Sequence, residues 1–119
     1  MASLPSSLSL ADLVLPGTHE TLAEYGWPIS ACQSTQSVRW QLEHGLRFLD
    51  LRFALMTSGI LRAYHGIQNE RISAHDVFEE IYAFLDANPS ETLICSIKQV
   101  RAFGAGLRLL RLIINRRTQ

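Results

Sequence analysis

Between residues 46 and 53 hydrophobic and polar positions alternate: Leu49, Leu51 and Phe53 fall on one side, Phe48, Asp50 and Arg52 on the other. A period of two predicts a strand with one apolar face. Residues 60–64 read as a second short strand, and the connection at 54–59 is too short for a parallel crossover, which takes about a dozen residues. A hairpin turning near Ser58-Gly59 is therefore expected, with His65 roughly opposite Asp50. From 73 to 88 the period becomes helical, with Val77, Ile81, Phe84 and Leu85 as the apolar stripe. Ser73 and Asp76 form an S-x-x-D capping box before that stripe, and Asn88-Pro89-Ser90 stops it. The nearly all-apolar stretch 92–97 predicts a strand buried on both faces.

Weaker signals fill the remainder. Residues 11–16 read as a short strand ended by Pro16-Gly17, and 18–34 as a long loop, a feature that in compact domains is often functional. Thr35 is placed to cap a helix over 36–44, with Val38, Leu42 and Leu46 on one stripe and Gly45 as its stop. Gly104 and Gly106 break the chain, and 107–114 is apolar with Arg108 and Arg111 interleaved. The order strand–loop–helix–strand–strand–helix–strand defines an α/β class, and 119 residues allow one domain at most.

Hydrophobic residues at 47% and charged residues at 18% suit a packed core. The formal net charge is zero, but residues 1–97 carry a net −6 and residues 98–119 a net +6. Such a tail either meets anionic lipid or nucleic acid, or does not belong to the ancestral domain. Cys32 and Cys95 show neither a disulfide framework nor metal-ligand spacing, so two reduced, buried thiols are expected. No positive region or long apolar run opens the chain, and nothing approaches the ~20 apolar residues of a membrane span. An intracellular location is the default expectation.

Polar residues gather where the predicted strands end. His19 follows the first, Asp50 and Arg52 lie within the second, His65 ends the third and Lys98 the fourth. Function in α/β sheets and barrels concentrates at the carboxyl ends of strands. Charges on a strand face are costly unless paired or used, and Asp50 and Arg52 at i and i+2 have the option of simply pairing with each other. His44, next to a helix-ending glycine, reads as a helix-terminus partner, and His75 as an exposed residue. On their own, Glu20 and Glu91 read as surface carboxylates.

Four short strings change that balance. Leu15-Pro16-Gly17-Thr18-His19-Glu20 resembles the opening motif of phosphatidylinositol-specific phospholipases C, and 45–52, with Arg47, Asp50 and Arg52, resembles their G-x-R-x-x-D-x-R strand. Tyr64-His65-Gly66 resembles the third motif, and Asn88-Pro89-Ser90-Glu91-Thr92 with Ser96-Ile97-Lys98 the fourth. The resemblance covers residues 13 to about 99. It implies a TIM-barrel-like fold of which 1–99 supply the first half. A whole barrel takes about 250 residues. Residues 100–119 then stand as a basic tail, read either as sequence foreign to the domain or as an amphipathic helix lying on anionic lipid.

The resemblance also implies roles. His19 is the general base on the inositol 2-hydroxyl, Arg52 stabilises the phosphate oxygens, and His65 protonates the departing diacylglycerol oxygen with Asp50 holding its imidazolium. Lys98 binds inositol hydroxyls or phosphate. In the calcium-dependent eukaryotic enzymes the positions of Arg52 and Lys98 carry acidic metal ligands. Both are basic here, so the metal-independent bacterial branch is implied and no metal or cofactor is expected. Glu20 stands where the family usually has Asp or Asn, which moves its carboxylate by about a bond length. The implied partner is a phosphoinositide lipid met at a membrane surface, with no nucleic acid. Two alternatives stay open: a catalytically incomplete lipid- or inositide-binding remnant, and a glycerophosphodiesterase-like enzyme. The latter needs an E-x-D metal pair where this chain has Asp50-x-Arg52.

Overall fold

A computed structural model describes residues 4–5, 7–26, 36–100 and 109–115. Its centre is the alternating stretch, now strand β2 (Phe48–Leu55), beside β5 (Thr92–Gln99). The two run parallel from Phe48↔Ile94 to Phe53↔Gln99. Strands β3 (Leu61–His65) and β4 (Gln68–Ser73) follow β2 antiparallel, and β6 (Leu109–Asn115) lies antiparallel on the far side of β5. The sheet order is β4-β3-β2-β5-β6, with β1 (Gly17–Thr18) also pairing with β2. Helix α1 (Val38–Glu43) precedes β2, and α2 (Ala74–Ala87) leads into β5.

Strand parity decides what is core and what is site. Leu49, Leu51 and Phe53 of β2 and Leu93 and Cys95 of β5 are buried against Val77, Ile81, Phe84 and Leu85 of α2 and Val38 and Leu42 of α1. Parallel partners share a face, so Phe48, Asp50 and Arg52 stand beside Ile94, Ser96 and Lys98 on the opposite side, only partly covered. β5 is therefore buried on one face rather than the expected two. Burial pushes the Cys95 thiol up to about 12, a free and unreactive sulfhydryl. Cys32 lies outside the described residues.

The second helix forms as its sequence dictates. The Ser73 side chain accepts from the Asp76 amide and the Asp76 carboxylate accepts from the Ser73 amide. Helix α1 is shorter than expected and capped by Ser37; Thr35 lies outside the described residues. His44 ends it, with Nδ1 2.8 Å from the Trp40 carbonyl and the ring stacked 3.7 Å from the Trp40 indole. Arg47 and Glu91 have structural roles: the guanidinium meets the Glu91 carboxylate at 2.7 Å and the Leu42 carbonyl at 2.7 Å, and packs on the Phe84 ring. That fastens α1 and β2 to the start of β5.

Two further expectations are corrected, and one strand appears where no element was expected. Residues 11–16 form no strand: Leu10–Asp12 is a 3-10 turn, and only Gly17–Thr18 pair. One edge of β2 is taken by β5, and β3 pairs with the other from Phe53 onward; β1 pairs only at Phe48 and Leu49, before the chain turns away at Glu20. Second, residues 68–73 form strand β4, although Gln68-Asn69-Glu70-Arg71 is a polar string that includes Asn and Glu, both depleted in strands. A register shift opposite Arg62 and Tyr64, with Arg71 at φ 65°, accommodates it. Third, 109–115 is a strand on the β5 edge, not an amphipathic helix; an unpaired edge is a ready template for such pairing.

Candidate active site

The loop after β1 is built by small polar side chains. Gly17 has no room for a Cβ, which would lie 2.7 Å from Phe48 Cβ. The Pro16 carbonyl accepts from the amides of Arg47 and Phe48. Thr18 donates to Gln41 Oε1 at 2.9 Å, and the buried Gln41 amide donates to the Thr21 carbonyl at 3.0 Å, locking the loop onto α1. The Asp50 amide donates to Thr21 Oγ1 at 2.8 Å, and the Thr21 amide to the Asp50 carbonyl at 3.0 Å. Between these clamps Glu20 adopts φ 47°, a left-handed conformation uncommon outside glycine. Its amide donates to Asp50 Oδ2 at 3.1 Å. The strained turn points the Glu20 side chain into the sheet while His19 stays exposed.

Arg52 is the hub. Its Nε and Nη2 donate to Asp50 Oδ2 at 3.1 and 2.8 Å, and its Nη1 donates to Glu20 Oε1. The other Glu20 oxygen meets His65 Nε2. On the opposite flank His19 Nδ1 lies 3.4 Å from Asp50 Oδ2 and 3.4 Å from Arg52 Nη2. Burial pushes the Asp50 carboxyl up, but hydrogen bonds from Arg52 and the Glu20 amide, with the nearby Arg52 and His19 charges, outweigh it and hold the group below the usual carboxylate range. Asp50 is therefore ionised at neutral pH. Guanidinium carries five N–H donors, and three are committed to carboxylates, which leaves two on the Nη atoms. A cleft of about 480 Å³ opens beside Asp50 and His19, lined also by Thr18, Phe48 and Ser96.

Five of the six residues singled out from the sequence, His19, Glu20, Asp50, Arg52 and His65, form one continuous cluster. Lys98 is the register partner of Arg52 and, among the described residues, has no carboxylate within ion-pair distance. One pairing is corrected: Glu20, not Asp50, meets His65, and Asp50 stands beside His19. The β2–β3 register pairs Phe53 with Ala63; continued two residues, it brings His65 level with Leu51 rather than Asp50. A shift of one residue changes the face of every side chain. His75 is exposed on the surface, 3.6 Å from Asp76. Among the described residues no group of three or more His, Cys, Asp or Glu is placed to hold a metal ion. The buried Glu70 of β4 was not singled out from the sequence, where it carried no signal.

A mixed sheet with parallel strands β1, β2 and β5 and with helices packed on it, as in a segment of an α/β barrel, here carries two histidines flanking an arginine–carboxylate hub. The sequence signature of the family described as "Phosphatidylinositol-specific phospholipase C, X domain" matches residues 19–102, and the chain belongs to that family. The 1-phosphatidylinositol phosphodiesterase of Listeria monocytogenes is 38% identical over 104 residues, which cover 82% of this chain and 32% of that protein. The solved structure of the Listeria monocytogenes phosphatidylinositol-specific phospholipase C superposes with a TM-score of 0.70 at 36% identity, over 82% of this chain and 36% of that one. A Staphylococcus aureus phosphatidylinositol-specific phospholipase C structure, at 19% identity, shares the fold with a TM-score of 0.75 over 89% of this chain and 38% of its own. The chain spans about a third of the length of these curated relatives.

Proposed function

We propose that this chain carries the acid/base half-site of a metal-independent phosphodiesterase acting on phosphatidylinositol. The observation that carries the reading is the disposition of His19 and His65 on opposite flanks of Arg52, each beside a carboxylate. His19 takes the proton from the inositol 2-hydroxyl, whose oxygen attacks the adjacent phosphorus. The two uncommitted Arg52 donors meet the phosphoryl oxygens where negative charge builds, electrostatic stabilisation worth the most in a water-poor site. His65 protonates the diacylglycerol oxygen as the P–O bond breaks, with the Glu20 carboxylate against its Nε2 holding the imidazolium. The products are diacylglycerol and inositol 1,2-cyclic phosphate. Lys98, one strand over from Arg52 and without a carboxylate partner among the described residues, suits an inositol hydroxyl or a phosphate oxygen.

The substrate's location in a bilayer gives the hairpin tip a role. Leu55, Ile60 and Leu61 are exposed at the β2–β3 turn, which stands three residues, roughly 10 Å at strand rise, past Arg52. Residues 55–61 contain no charge. Apolar side chains projecting beyond the strand ends suit transient insertion among lipid headgroups. A second reading is a lipid-binding module without turnover, for which the exposed apolar residues Leu55, Ile60 and Leu61 alone suffice.

Incubating the chain with phosphatidylinositol vesicles and excess chelator separates the two. Turnover that survives the chelator supports the first reading, and loss of turnover restored by Ca²⁺ contradicts it. Vesicle binding without product supports the second. In either case Ile60→Ser with Leu61→Ser is expected to lower the bound fraction severalfold, and unchanged binding removes the tip from the account.

A further inference from the structure

The turn that carries His19 and Glu20 is bracketed by two hydroxyls, Thr18 and Thr21, and both lead to one buried side chain of α1. Gln41 is 1% exposed, and a buried amide is costly unless it is hydrogen-bonded. Its Nε2 donates to the Thr21 carbonyl at 3.0 Å and to the Gln36 carbonyl at 2.9 Å. Two carbonyls around one atom identify it as the nitrogen, so Oε1 is the atom that faces Thr18. The Thr18 hydroxyl therefore donates to Oε1, at 2.9 Å. A hydroxyl has a single proton, so the 2.8 Å contact between Thr18 Oγ1 and Thr21 Oγ1 is donated by Thr21, whose other acceptor, the Thr18 carbonyl, is farther at 3.3 Å. Thr21 Oγ1 in turn accepts the Asp50 amide at 2.8 Å. The bonds form a relay with one direction, from the Asp50 amide through Thr21 and Thr18 to Gln41. A buried polar network satisfied in this way favours a single arrangement.

We propose that Gln41 is a positioning residue for the His19–Glu20 turn, acting through this relay and not by touching substrate. The inference rests on the roles given above to His19 and Glu20. Glu20 at φ 47° holds a conformation that persists only where its surroundings over-determine it. Three bonds tie the turn to β2, and all of them go to Asp50: from the Glu20 amide to Oδ2, from the Thr21 amide to the carbonyl, and from the Asp50 amide to Thr21 Oγ1. Gln41 supplies a second fixed point, from α1, and grips both ends of the turn at once, the Thr18 hydroxyl and the Thr21 carbonyl. With both ends held, His19 Nδ1 stays 3.4 Å from Asp50 Oδ2 and the Glu20 carboxylate stays between Arg52 and His65. A misplacement of ~1 Å costs about 10² in rate, so turnover depends on Gln41 although it meets no reacting group.

Gln41→Met keeps the bulk and the helix preference of the side chain and removes all three of its bonds. The expected result is a folded protein with kcat about 10²-fold lower and KM within about twofold of the parent. In hydrogen exchange, the amides of Glu20, Thr21 and Asp50 should lose protection by about tenfold relative to those of Val77, Ile81 and Leu85 in α2. Where Gln41→Met does not fold, Thr21 decides. Thr21→Val breaks the relay at its centre with little change of shape and should produce the same two changes, whereas Thr21→Ser keeps the hydroxyl and a kcat within about threefold of the parent. If Gln41 only fills the core, the folded variants keep parental kcat, or all amides lose protection together, and either result overturns the proposal. The exchange measurement needs no turnover. A parent chain that yields no product counts against the proposed function alone, and the inference is then decided by protection at the turn.

Discussion

His65→Ala and His19→Ala are each expected to lower phosphatidylinositol turnover by about 10²–10⁴-fold, the usual contribution of a positioned general acid or base. The two losses should not add. Each histidine serves one end of a single concerted transfer, so once either is gone the other has little left to do, and the double variant should fall close to the weaker single one. His19 is largely exposed and touches the rest of the cluster at 3.4 Å, so its removal should leave the melting temperature unchanged. His65 is half-buried against the buried Glu20, and its removal should also cost stability, because a buried carboxylate loses a partner. Turnover within about tenfold of the parent in either variant, measured on mixed micelles, excludes that histidine from the chemistry.

Arg52→Ala carries the second large effect, on stability and activity together. Three guanidinium bonds hold Asp50 and Glu20, and all three side chains are less than a fifth exposed. Breaking a buried pair by removing one partner costs about 3–5 kcal/mol, a large part of the ~5–15 kcal/mol that holds a domain together. The deficit has a pH signature. The folded-state Asp50 carboxyl titrates below its ordinary value, so its contribution to stability is present above the normal aspartate range, near pH 4, and is lost as pH falls through the folded value. The gap in melting temperature between parent and Arg52→Ala should therefore be full at pH 7 and narrow below about pH 4. A gap independent of pH means that Arg52 stabilises by packing alone. Arg52→Lys separates the two functions: a point charge restores part of the stability but not the planar fork, so turnover should stay about 10²-fold down.

What was legible in the sequence is what local chemistry decides. The alternation of Leu49, Leu51 and Phe53 against Asp50 and Arg52 placed core and site on opposite faces of β2, and the structure keeps that division. The Ser73/Asp76 box and the α2 stripe appear as read. Elements that depend on an available edge were not legible: β1 pairs with β2 over two residues only, β4 is written mostly in polar residues, and β6 forms where β5 offers an unpaired ladder. The same distinction runs through the site. Asp50 and Arg52 meet because they are two apart on one strand. The partner of His65 depends on a hairpin register and on the left-handed turn at Glu20, neither of which residue spacing specifies. The longer Glu20 side chain is what spans from Arg52 to His65 in this arrangement.

The central claim is an intramolecular, metal-free cleavage run by two histidines around Arg52, and the phosphorus nucleus reports it directly. In a ³¹P NMR time course of phosphatidylinositol vesicles with the chain and excess chelator, the account predicts that inositol 1,2-cyclic phosphate appears first, with any inositol 1-phosphate following later. Inositol 1-phosphate formed from the outset, without the cyclic species, would mean that water rather than the 2-hydroxyl attacks phosphorus, and would contradict the roles given to His19 and His65.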